Sequence, residues 1–94
     1  MAITVVFQVP GMTAAQYDRV ITDLEAKGLG APDGRMFHLA SSTADGWFVV
    51  DVFESQEKLG RFAEDLMPIL AAAGVTPPEP VVYPLHNMIA GPGL

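Results

Sequence analysis

An α+β domain with the element order β-α-β-β-α-β is what this 94-residue sequence predicts, on three observations. Four short runs are rich in β-branched and aromatic residues, the signature of strands. Two longer stretches repeat apolar residues at helical spacing. Glycine and proline punctuate the boundaries between them.

The first run covers residues 3–9 (ITVVFQV) and is stopped by Pro10-Gly11. Thr13 then opens a capping box with Gln16: the hydroxyl accepts from a free helix N–H while the amide reaches back. Tyr17, Val20, Ile21 and Leu24 recur on one face of the helix that follows, which Gly28 and Gly30 end. Residues 28–34 (GLGAPDG) read as a loop. Residues 36–42 and 46–53 form a hairpin around Thr43-Ala44-Asp45. Ser55 caps a second helix, with Glu57 near its positive end. Leu59, Phe62, Ala63, Leu66, Leu70 and Ala73 form its buried stripe. Pro68, inside that stripe, removes the bond to the Glu64 carbonyl and predicts a bend. Gly74 ends this helix, residues 76–80 make a stiff connector, residues 81–89 a fourth strand, and residues 90–94 a loose tail.

This order is the ferredoxin-like split βαβ arrangement. Two right-handed crossovers place both helices on one face of a four-stranded antiparallel sheet. Residues 1–94 are read as a single domain, and a domain of this size buries only about 60–65% of its unfolded surface. Half its residues are apolar, 17% are charged and cysteine is absent, so no disulfide adds stability. The apolar excess sits on both sheet faces: Ile3, Val5, Phe7 and Val9 oppose Val6, and Trp47, Val49 and Phe53 oppose Phe48, Val50 and Val52. A face away from the helices that is apolar predicts a covering partner, and a homodimer packed sheet-to-sheet supplies one. No apolar run reaches the roughly 18 residues of a membrane span. The start of the chain has no basic, cleavable leader, so a cytoplasmic location is expected. A net charge of −6 argues against nucleic acid and anionic membranes as partners.

Several residues are candidates for chemistry. With the hairpin centred on Ala44-Asp45, His38 and Asp51 become cross-strand neighbours, about 4.5–5.5 Å apart at Cβ. A carboxylate beside an imidazole fixes its tautomer, which suits a general base. A slip of one residue would put them on opposite faces, and the alternative to catalysis is a buried polar pair or a contact at the dimer interface. His86 and Asn87 are neighbours in the fourth run, so only one of them can enter a given pocket. Tyr83 shares the parity of Asn87, and Tyr17 comes from the buried face of the first helix. Together they could orient a ligand carbonyl or phenol, or simply satisfy backbone groups. Trp47 is either a core residue or a stacking platform. Gly28-Leu29-Gly30 lacks the further glycine of a dinucleotide site. Two histidines with scattered carboxylates make no transition-metal site, so neither metal nor cofactor is expected.

The segments 62–74 (FAEDLMPILAAAG) and 83–89 (YPLHNMI), together with the two-faced apolar sheet, resemble the dimeric α/β-barrel superfamily. They are similar to antibiotic-biosynthesis-monooxygenase-like proteins of actinobacteria. The superfamily also holds small polyketide cyclases, muconolactone isomerases and haem-degrading enzymes, and in it two sheets pack face to face with the helices outside. The haem-degrading members place an iron-ligating histidine on a helix, which this chain lacks. The resemblance implies a cofactor-independent oxygenase, cyclase or isomerase acting on an aromatic or polyketide-like molecule between helices and sheet. His38 or His86 would supply the base, Asp51 would orient His38, and Tyr17, Trp47, Tyr83 or Asn87 would position the substrate. No catalytic position carries over by motif, because the members use different residues. The alternative is a non-catalytic dimeric module that binds a small ligand or a partner protein. Entry of a histidine side chain into a cavity of about 300 Å³ or more separates the two readings.

Overall fold

The computed structural model describes all residues, Met1–Leu94. Its order is β1 (Ile3–Pro10), α1 (Ala14–Ala26), β2 (Arg35–Thr43), β3 (Gly46–Phe53), α2 (Gln56–Ala72) and β4 (Val81–Pro84). The strands form one antiparallel sheet in the order β2-β3-β1-β4. Antiparallel neighbours in that order mean that α1 and α2 each carry the chain across the sheet, as the split βαβ arrangement requires.

Local signals set the helix ends. Thr13 accepts from the Gln16 backbone N–H, and the Gln16 amide oxygen accepts from the Thr13 N–H, closing the capping box. The Gln16 amide also donates to the Ala73 carbonyl at 3.3 Å, tying the start of α1 to the end of α2. Ser55 caps α2 by accepting from the Lys58 N–H. The helix runs on through Pro68 without a break, because the ring removes one bond and α2 keeps a packed face on either side of it. Phe62, Ile69 and Leu70 are that buried face.

The core lies between the helices and one side of the sheet. Ile3, Val5, Val9 and Phe53 meet Val20, Leu24, Phe62, Ile69 and Leu70 there. Val5 and Phe53 are fully buried, and truncating such a phenylalanine to alanine costs about 3–5 kcal/mol. At the sheet's end the chain passes very close to itself. A Cβ on Gly46 would overlap the Val9 carbonyl oxygen and crowd the Gly11 amide, so only glycine fits.

Two details differ from the sequence expectation. The fourth strand stops at Pro84 instead of reaching residue 89. Its partner β1 begins at Ile3, where Pro84 pairs, and one further bond runs from the Leu85 N–H to the Ala2 carbonyl. The second strand begins one residue earlier, and a bulge separates Arg35 from Phe37. Arg35 pairs with Phe53 and Phe37 with Val52, so Met36 is the extra residue.

Candidate active site

Three elements converge on one polar group set in apolar surroundings. Beyond the bulge the hairpin keeps the expected register, and His38 lies directly across from Asp51. Asp51 in turn pairs with Val5 of β1, which places its side chain on the helix-covered face. It is the one charged residue among the buried ones, at 5% exposure. His38 Nδ1 and Asp51 Oδ1 are 2.5 Å apart. Tyr17 comes down from the first turn of α1, on the same stripe as Val20 and Leu24, and its hydroxyl is 2.5 Å from His38 Nε2. The two rings are parallel within 4°, with centroids 6.0 Å apart.

Hydrogen-bond chemistry orders this chain of contacts. An ionised Asp51 can only accept, so Nδ1 of His38 donates to it. Nε2 of the neutral ring is then an acceptor, and the Tyr17 hydroxyl donates to it. Burial holds the Tyr17 phenol above its ordinary value of 10.0; the charges of Asp51 and Asp18 push it the same way, and Arg35 opposes them. Tyr17 therefore carries its proton at neutral pH and presents it to His38.

The group stands between two spaces. An apolar cavity of about 80 Å³ lies under the helices, lined by Phe7, Val9, Val20, Phe62 and Leu70 together with Tyr17, His38 and Asp51. An open cleft of about 470 Å³ lies outside, between α1 and the edge strand β2. Tyr17, Ile21, Leu24, Arg35 and His38 line both. The outer cleft passes the size of about 300 Å³ at which small-molecule sites begin, and His38 opens onto it.

The other sequence candidates lie elsewhere. Trp47 packs against Tyr17 at 5.2 Å between ring centroids, and its buried Nε1 has no hydrogen-bond partner. It supports the phenol but does not line the cavity. Tyr83 pairs with Thr4 and is 55% exposed on the opposite sheet face. His86 and Asn87 follow the end of β4 and are exposed, and the Asn87 amide oxygen accepts from the Met88 N–H. None of these three lines the cavity: Tyr83 faces the other side of the sheet, and the strand that would have carried His86 and Asn87 ends at Pro84. No three His, Asp or Glu side chains gather as a metal site. Arg35 lines both spaces and was not a sequence candidate, since an unbroken register turns it to the other face.

The same architecture occurs in solved structures. A candidate antibiotic biosynthesis monooxygenase from Chloroflexus aurantiacus matches 97% of this chain over its whole length, at a TM-score of 0.65 and 14% identity. A second, from Deinococcus radiodurans, covers 96% of this chain and 97% of its own, at 0.58 and 15%. A third, from Caulobacter crescentus, covers 87% and 83%, at 0.54 and 23%. The chain has the fold of these proteins. At such identities the likeness carries the ferredoxin-like architecture and its layout of two helices over four strands. No protein-family model matches the sequence, and no curated protein matches it. No helix is long and apolar enough to cross a membrane.

Proposed function

We propose that the chain is a small-molecule enzyme whose chemistry is proton transfer through Tyr17, His38 and Asp51. One observation carries the proposal: the hydrogen-bonded chain from phenol to imidazole to buried carboxylate, set at the wall of an apolar cavity. In the proposed step a substrate C–H or O–H next to a carbonyl or on an aromatic ring loses its proton to the Tyr17 oxygen. The phenol proton passes to His38 Nε2 in the same movement, and the bonding electrons stay on the substrate as an enolate or phenolate. Asp51 stabilises the imidazolium so formed and keeps the ring oriented. Returning the proton to another carbon completes an isomerisation. Attack of the enolate carbon on a second carbonyl of the same molecule, with the proton returned to the alkoxide so formed, completes a cyclisation. An oxygenase of the cofactor-independent kind would instead let the carbanion react with dioxygen. All three begin with the same step, which these side chains can perform by themselves.

The substrate class that suits this site is aromatic or polyketide-like, because the inner cavity is apolar and its polar groups converge at one wall. The inner space is too small to hold such a molecule whole, so the ligand would extend into the outer cleft.

The proposed assembly is a homodimer of single-domain chains that covers the second sheet face. Val6, Phe48 and Val50 are half-buried there, and Leu39, Val81 and Tyr83 are exposed. No strand residue on that face is charged, although the chain carries 16 charged side chains, all of them elsewhere. Two copies, each of net charge −6, can therefore approach through it without setting like charges against each other.

The test uses an enolisable probe, 1-phenylbutane-1,3-dione, in deuterated water. The protein should speed exchange of the carbon-bound protons followed by NMR, and Tyr17→Phe or His38→Gln should each lose about 100-fold or more. Exchange at the buffer rate, or variants as active as the parent, would overturn the enzyme reading. Binding of the probe without exchange would favour the non-catalytic ligand-binding module.

A further inference from the structure

The bulge at Met36 has a chemical consequence. Without it, Arg35 would share a face with Phe37 and point away from the helices. With it, Arg35 pairs with Phe53 and joins the helix-covered face, where it lines the cavity and the cleft beside Tyr17 and His38. Bulges beside functional sites commonly re-aim one side chain in this way.

The guanidinium so placed has no carboxylate partner. Arg19, Lys58 and Arg61 form ion pairs with Asp23, with Asp33 and Glu54, and with Glu57, but Arg35 forms none. Its one hydrogen bond to the protein runs to the Gly30 carbonyl at 2.9 Å, so most of its five donors stay free. Its carbon Cζ stands 6.0 Å from the centroid of the Phe62 ring, which holds the flat group against the cavity wall. Its charge reaches the Tyr17 phenol and lowers it against the effect of burial. Asp18 and Glu25 line the outer cleft as well, yet neither pairs with Arg35. They make the outer cleft unfavourable to an anion everywhere except at the guanidinium.

We infer that Arg35 is the anion-binding residue of this site, and that the ligand it takes is an apolar carboxylic acid. The carboxylate sits on the free edge of the guanidinium, where two parallel N–H groups match its two oxygens. The apolar body then lies toward Phe62 and Leu66. This orientation sets the reacting carbon beside the Tyr17 hydroxyl. The inference rests on the cavity reading above and adds the charge of the ligand to it.

Calorimetry with 4-phenylbutanoate and its neutral isostere 4-phenylbutanamide tests it. The parent protein should bind the carboxylate about tenfold more tightly than the amide. Arg35→Gln should erase that preference, weakening the carboxylate about tenfold more than the amide. Arg35→Lys keeps the charge and should retain part of the preference, which keeps the test valid if the glutamine variant unfolds. Equal binding of both probes by the parent, or a glutamine variant that still prefers the carboxylate, would overturn the role of Arg35 and leave the cavity reading standing. Binding of neither probe by the parent would remove the cavity reading and this inference with it.

Discussion

Asp51→Asn tests the buried carboxylate with the smallest change of shape. The substitution leaves an oxygen that can still accept from His38 Nδ1, but it removes the charge. In the parent, the bond is 2.5 Å long and Asp51 is 5% exposed, so solvent does little to weaken it. A hydrogen bond to a charged group contributes about 1.5–3 kcal/mol and a neutral one about 0.5–1.5 kcal/mol. The difference gives a loss of about 1–1.5 kcal/mol. For a domain of this length each kcal/mol moves Tm by about 4–8 °C, so the variant should melt about 4–12 °C lower. The assay is thermal denaturation by circular dichroism at one fixed protein concentration, because self-association makes Tm depend on concentration. Arg61→Gln is the control. It breaks an exposed i,i+4 pair with Glu57 while leaving the Glu57 charge at the start of the helix, and such pairs shift Tm by no more than about 4 °C. A Tm for Asp51→Asn equal to that of the control would refute the reasoning, since the carboxylate would then be held no better than a surface group.

Three further outcomes follow from the same geometry. Gly46→Ala forces a Cβ into the backbone of β1 and should cost at least about 1–3 kcal/mol, read as a lower Tm; an unchanged melt would contradict that close approach. Val50→Asp puts a charge in the middle of the uncharged sheet face, so sedimentation should show about twice the chain mass for the parent and the chain mass for the variant; a monomeric parent would contradict the homodimer. Tyr17, raised above its ordinary value, binds its proton more tightly folded than unfolded. Its contribution to stability is thus complete below about pH 10 and is lost as pH rises through the folded value, and Tyr17→Phe should lose less stability than the parent across that range; identical stability profiles above pH 10 would contradict the buried phenol.

The sequence made the architecture readable because its signals were local and agreed with one another. The Thr13–Gln16 box, the Ser55 cap and the stripes on α1 and α2 each mark a helix, and the strand runs alternate with them. The His38–Asp51 pairing was readable for the same reason: a short hairpin turn fixes register across both strands. What lay beyond the sequence was non-local. The Tyr17 bond to His38 spans helix and sheet, and no spacing encodes it, although the position of Tyr17 on the buried stripe was visible. Arg35 was hidden by one unpaired residue that reverses its side. His86, Asn87 and Tyr83 were assigned to a long last strand because the run VVYPLHNMI is strand-like in composition. Where it stops depends on how far β1 extends to meet it.

The proton relay stands or falls on which nitrogen of His38 carries a hydrogen. The chain has two histidines, so ¹⁵N-labelled imidazole signals of the parent and of His86→Gln assign the ring unambiguously. For the neutral ring, the account predicts hydrogen on Nδ1, facing Asp51, and an acceptor Nε2 whose shift changes in Tyr17→Phe. Hydrogen on Nε2 with a bare Nδ1 toward the carboxylate would contradict it.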